Sequence, residues 1–254
     1  MAASSPSVSL APVLKALSLS GMLDTLEARL SEARAGRLGH AEFLQVLAED
    51  ELARRDAQKI QRRLRAARFP IEATFESFDF SYNPKLPVSE IRDLARLEFL
   101  ETGDGLVLHG PVGVGKSHLA IALGHLACRR GLEVSFVTCA HLLAHLAGGH
   151  VDRSFAKRVR ELTRPAMLIL DDWAMREFTA PQAEDLYELL LERLGRPGHS
   201  LVLTSNRSPS DWYPLFPNAV VGESILDRLI NSSRDIALEG KSYRPTRRPG
   251  TKRS

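Results

Sequence analysis

Residues Gly110, Pro111, Val112, Gly113, Val114, Gly115, Lys116 and Ser117 spell G-x-x-x-x-G-K-S. Glycines at this spacing let the backbone curl until successive N–H groups point at one anion. The lysine ammonium reaches the β- and γ-phosphates of a nucleotide, and the serine hydroxyl ligates Mg²⁺. His118 closes the predicted nucleotide-binding stretch. The apolar run Leu106–His109 before it suits a buried strand. From Ser117 to Arg130, Leu119, Ile121, Ala122, Leu123, Leu126 and Ala127 recur at helical spacing until Gly131. A strand, a glycine-rich turn and a helix N-terminus make a phosphate site, so the sequence predicts a bound nucleoside triphosphate with Mg²⁺.

Further chemistry lies downstream. Asp171 and Asp172 follow the apolar run Met167–Leu170. Asp171 is placed to hold Mg²⁺ beside Ser117, and Asp172 to orient or deprotonate an attacking water. An acidic pair after an apolar run also suits a helix cap. Thr204-Ser205-Asn206 ends another apolar run, where a polar side chain reaches the γ-phosphate or the water; a turn or cap at 206–210 is the alternative. Arg228 stands on the apolar stretch Ile225–Leu229, either in a local ion pair with Asp227 or as a cation delivered to a phosphate.

These residues need a scaffold, and the pattern around them supplies one. Strands are expected at 106–109, 134–138, 167–170 and 201–204, alternating with helices near 89–99, 117–130 and 181–194. Nearly continuous apolar strands alternating with helices predict an α/β fold, a parallel sheet with helices on both faces. Ligands then bind at the carboxyl ends of the strands. Residues 1–68 read as a small all-helical domain with three helices, breaking near Ser18–Gly21 and Gly36–Gly39. A linker follows over 69–88, in which Phe75, Phe78, Phe80 and Tyr82 form a strand-like strap on the core or a base-stacking surface. The nucleotide-binding domain spans 89–240 and a basic tail 241–254.

The chain has 254 residues, 44% of them hydrophobic and 26% charged, and a net charge of +3. That charge is uneven. Basic and acidic residues number 11 and 8 over 1–70, 17 and 23 over 71–239, and 6 and 0 over 240–254. One basic island holds Arg54, Arg55, Lys59, Arg62 and Arg63, with Arg65 and Arg68. A second holds Arg153, Lys157 and Arg158, with Arg160 and Arg164. An acidic body with basic islands predicts a polyanion partner, nucleic acid, although arginine-rich helix faces are also often merely solvated. No apolar run approaches the roughly 18 residues of a membrane span. The first residues lack the pattern of a signal peptide. Cys128 and Cys139 match no metal-ligand pattern and suit a reducing compartment, so a cytoplasmic protein without a membrane partner is expected.

The order GPVGVGKSH, LILDDW, LTSN and LDRL resembles AAA+ ATPases of the initiator and helicase-loader branch, and more closely the IstB-type ATPases of insertion-sequence transposons. The similarity extends to LSLSGMLDTLEARL, RRLRAARFP, ESFDF, HLAIALGHLACRRG, SDWYPLF and EGKSYRP. It implies an ATPase that binds double-stranded DNA, forms a homo-oligomer through its ATPase domain and presents target DNA to a partner transposase. By the same resemblance Lys116 and Ser117 are Walker A, Asp171 and Asp172 Walker B, and Asn206 sensor 1. Arg228 resembles an arginine finger acting across a subunit interface, and Arg244 a sensor-2 arginine. The second basic island falls where this branch carries a helical insertion facing DNA. There are departures: Val112 and Val114 replace the more common Pro and Thr, Ala174 stands where Gly is frequent, and Asp172 replaces Glu. The shorter Asp172 side chain implies slow or partner-stimulated hydrolysis. A DnaC-type replicative helicase loader is the alternative within the branch. A metabolic P-loop kinase, the rival from another class, has no use for three basic regions.

Overall fold

The structure, a computed structural model, describes residues 6–243. The chain divides into two compact units between Arg62 and Arg63. In the first, α1 (Pro6–Ala16), α2 (Ser20–Arg34) and the start of α3 (His40–Ala67) follow the predicted helices. Leu26 and Leu47 are buried, and so is the Glu51 carboxylate. Glu51 accepts the Gly21 N–H at 2.6 Å and the Met22 N–H at 3.3 Å, where α2 leaves N–H groups without helical acceptors. The Arg55 guanidinium, 2.6 Å away, holds this carboxyl below the usual carboxylate range.

The second unit is the α/β domain. Its elements are α4 (Val88–Leu94), α5 (Glu98–Thr102), β1 (Gly105–His109), α6 (Lys116–Arg129), β2 (Val134–Thr138), α7 (Cys139–Val151), α8 (Phe155–Thr163), β3 (Met167–Trp173), α9 (Ala180–Arg193), β4 (Ser200–Ser205), α10 (Ala219–Asn231) and β5 (Ser233–Ala237). The five strands form one parallel sheet in the order β2-β3-β4-β1-β5. Alternation along the strands feeds two cores, one on each face. Leu106, Leu108, Met167, Ile169 and Val202 pack with α6. Val107, Leu168, Leu170, Leu201 and Leu203 pack with α7 to α10.

Three local expectations change. The helix read near 89–99 is two short helices, because Leu97 adopts the left-handed conformation (φ 61°) as its side chain enters the core. The strap over 73–87 contains no strand, yet Phe75, Phe78 and Phe80 do pack against the α6-side core. Strand β5 was not foreseen: in Ser-Arg-Asp-Ile-Ala only Ile236 is buried, so this edge strand has no apolar run to betray it. Among the described residues no helix is long and apolar enough to cross a membrane.

Candidate nucleotide-binding site

The G-x-x-x-x-G-K-S segment joins β1 to α6, so the turn opens at the carboxyl end of a central strand and closes on a helix N-terminus. Three glycines are needed for its shape: Gly110 (φ 139°), where a Cβ would collide with the Leu238 carbonyl, and two more. Gly113 (φ 86°) and Gly115 (φ 107°) lie in the left-handed region. A Cβ on Gly113 would collide with Ser242, and one on Gly115 would meet the Phe78 ring at 2.9 Å. Val114 turns into the core, whereas Val112 stays exposed on the rim.

Lys116 is 6% exposed and donates to the carbonyls of Gly110 and Pro111, each at 2.7 Å. It thereby fixes the loop and keeps its ammonium inside it. Ser117 Oγ donates to Asp171 Oδ1 at 2.7 Å. A hydroxyl that gives its proton to a carboxylate keeps its oxygen lone pairs for a cation, and with Asp171 it forms the oxygen donor set that a hard divalent ion takes. His118 also reaches the strap: its Nε2 lies 3.2 Å from Ser77 Oγ and 3.3 Å from the Thr74 carbonyl, joining α6 to it.

Asp171 and Asp172 lie at a register shift between β3 and β4. Asp171 is 8% exposed and turned inward; Asp172 is exposed, with φ 57°. Ala174, two residues on, also has a left-handed φ of 56°. Its place at a position where Gly is frequent therefore has a backbone consequence that composition did not reveal, since such a φ costs a non-glycine residue about 1 kcal/mol. Beyond β4, Ser205 fixes the turn that carries Asn206. Its hydroxyl donates to the Trp173 carbonyl at 3.0 Å and accepts the Trp212 indole N–H at 3.2 Å and the Arg207 N–H at 3.1 Å. Asn206 Nδ2 contacts Met175 Sδ at 3.2 Å.

A cavity of about 230 Å³ gathers these groups. Residues Val112 to His118 line it, together with Asp172 and Asn206. Ile71, Phe78, Tyr82, Leu86 and Tyr243 add an apolar and aromatic wall. That wall comes from the strap and from the segment after β5, and sequence reasoning missed it. EGKSYRP enters the sequence reading only as a likeness, and the strap only as a cover for the core or a base-stacking surface.

The remaining predicted residues lie elsewhere. Arg228 is exposed on α10, 6.0 Å from the centroid of the Tyr187 ring, and does not line the cavity of its own chain. Among the described residues it makes no ion pair with Asp227, whose carboxylate accepts from Asn231 at 2.7 Å. Arg244 lies outside the described residues. In the first island Arg54 pairs with Asp24 (3.3 Å), Arg55 with Glu51 and Lys59 with Asp56 (2.9 Å), while Arg62 is exposed and Arg63 half-buried. In the second, Arg158 is committed to Asp152 (2.6 Å), Ser154 Oγ (2.9 Å) and the His145 carbonyl (2.5 Å), which tie α8 back to α7. Arg153 and Lys157 are exposed.

The chain is similar to known proteins over most of its length. The family model described as IstB-like ATP binding protein matches residues 12–250. A Mycobacterium tuberculosis protein, named for ATP binding in an insertion sequence, is 59% identical over 93% of this chain and 94% of its own length. A Pseudomonas aeruginosa protein, named for ATP binding in insertion sequence IS21, is 34% identical over 86% of this chain and 82% of its own. The crystal structure of the DnaC helicase loader superposes with a TM-score of 0.54 at 20% identity, covering 70% of this chain and 99% of that one, a likeness of fold. The chain belongs to the IstB-like ATP binding protein family of insertion sequences.

Proposed function

We propose that this protein is the ATP-dependent helper of a transposition reaction: it assembles on double-stranded DNA and presents target DNA to a partner transposase. The observation that carries the reading is the convergence of Lys116, Ser117, Asp171, Asp172 and Asn206 on the carboxyl ends of β1, β3 and β4, in a chain of an insertion-sequence family. Lys116 and the loop N–H groups bind the phosphates of ATP. Ser117 and Asp171 hold Mg²⁺, which when bound neutralises charge on the β- and γ-phosphates. Asp172 faces the cavity as the carboxylate that orients the attacking water, and Asn206 stands beside it to mark the γ-phosphate. Arg228 is exposed on α10 and does not line the cavity of its own chain, which suits a cation supplied to the nucleotide of a neighbouring subunit. Arg153 and Lys157, exposed on and just before α8, supply charge for DNA phosphates.

Assembly tests the reading. ATP and duplex DNA together are expected to drive the purified chain into a large oligomer, resolved by sedimentation or light scattering. A chain that stays at its starting size overturns it. Lys116→Ala is expected to lose ATP binding. Arg228→Ala is expected to bind ATP without hydrolysing it, and mixing the two variants restores turnover if the arginine acts across an interface.

A further inference from the structure

The roles of Asp171 and Asp172 raise a geometric difficulty. In a regular strand consecutive side chains face opposite sides of the sheet, so two adjacent carboxylates cannot both serve one site. The register between β3 and β4 removes the difficulty. Leu170 pairs with Leu203 and Trp173 pairs with Ser205, so Asp171 and Asp172 together stand opposite a single residue, Thr204. Two residues facing one is the geometry of a β-bulge, which re-aims side chains and leaves backbone groups without their ladder partners.

Thr204 meets both needs with one hydroxyl. Its Oγ1 donates to Asp171 Oδ1 and accepts the Asp172 backbone N–H at 3.2 Å. It is 1% exposed and does not line the cavity, so it acts on the reaction only through the two acids. We propose that Thr204 is the positioning residue that clamps the bulge and aims both carboxylates of the hydrolytic site. The inference rests on the proposed roles of Asp171 and Asp172. In this arrangement Asp171 is held from two sides, by Ser117 from α6 and by Thr204 from β4. Asp172 meets Thr204 through its backbone N–H, in a left-handed conformation that an aspartate tolerates better than most residues.

Thr204→Val keeps the branched shape and removes the hydroxyl, whereas Thr204→Ser keeps the hydroxyl. In Thr204→Val, kcat for ATP is expected to fall about tenfold or more, with KM for ATP changed less than about threefold, because Lys116 and the loop are untouched. The Mg²⁺ concentration that supports tight binding of a fluorescent ATP analogue is expected to rise, read by titration without any turnover. Thr204→Ser is expected to restore both. Asp172→Asn serves as the reference. If it loses hydrolysis while Thr204→Val matches the parent chain in kcat and Mg²⁺ dependence, the clamp is wrong and the roles of the acids stand. If Asp172→Asn hydrolyses ATP normally, those roles fail and the clamp with them. Should Thr204→Val not fold, Thr204→Cys, a weak donor of similar size, is measured instead: intermediate turnover supports the clamp and parental turnover overturns it.

Discussion

Tyr243 donates its backbone N–H to the carbonyl of Gly113 at 2.8 Å, so the segment after the last strand is fastened to the middle of the phosphate loop. The strap fastens the same segment as well. Tyr82 Oη donates to the Ser242 carbonyl at 3.0 Å, the Tyr82 and Tyr243 rings meet edge to face at 4.7 Å, and Asn83 donates to the Glu239 carbonyl. Ending the chain after Glu239 removes one wall of the cavity. Nucleotide affinity, measured by fluorescent analogue titration without DNA, is expected to fall about five- to tenfold, on the order of 1 kcal/mol. Thermal stability should change little, because Leu238 keeps its N–H bond to the His109 carbonyl.

The cations of the second basic island divide into two groups. Arg153 and Lys157 are exposed, whereas Arg158 is spent within the protein. If the island meets DNA phosphates, each exposed cation contributes a released counterion, and affinity falls steeply with salt. Arg153→Ala and Lys157→Ala are each expected to flatten the slope of log K against log salt by about one. Arg158→Ala should instead lower the melting temperature. A salt-independent affinity would remove DNA as the partner of this surface.

Arg193, at the end of α9, is 1% exposed and donates to four carbonyls: Leu162 (3.0 Å), Thr163 (3.2 Å), Pro165 (2.9 Å) and Ser200 (2.7 Å). It satisfies the carbonyls at the end of α8 and ties them to the start of β4. Burial lowers its pKa to about 9, and the nearby Arg196 adds to the effect. Arg193→Met leaves those carbonyls buried without donors, at about 1–3 kcal/mol each before relaxation. Urea denaturation is expected to show a loss of about 3 kcal/mol or more, with nucleotide affinity of the folded fraction unchanged.

His125 lies on α6, stacked on Phe69 at 4.9 Å. Burial, and secondarily the charge of Arg129, lowers its pKa below the ordinary value of 6.5. The folded state therefore binds a proton less readily than the unfolded chain. This group contributes stability that is fully present above pH 6.5 and is lost as the pH falls through its lower folded value. His125→Phe removes that proton uptake. Its unfolding free energy is expected to decline less than that of the parent chain between neutral and mildly acidic pH, measured by denaturant titration at each pH.

The phosphate loop was legible in sequence because its requirements are local. Left-handed glycines, a lysine and a hydroxyl at fixed offsets specify a turn that needs only a strand before it and a helix after it. Strands β1, β3 and β4 were legible because each, buried on both faces, is largely an apolar run, and β2 because Val134, Phe136 and Val137 are apolar. Asp171 announced itself by following one of them. Strand β5, the wall built by Tyr82 and Tyr243, and the four-carbonyl grip of Arg193 gave no such sign, since each depends on residues far apart in the chain. Thr204 stands between these cases. The sequence placed it beside Asn206 on the correct strand, but only the register of β4 against the bulge in β3 made its hydroxyl the partner of both acids. Residue type and spacing determined which chemistry this protein carries; long-range pairing decided which atoms aim it, because a hydrogen bond between strands is set by register, which a linear pattern does not encode.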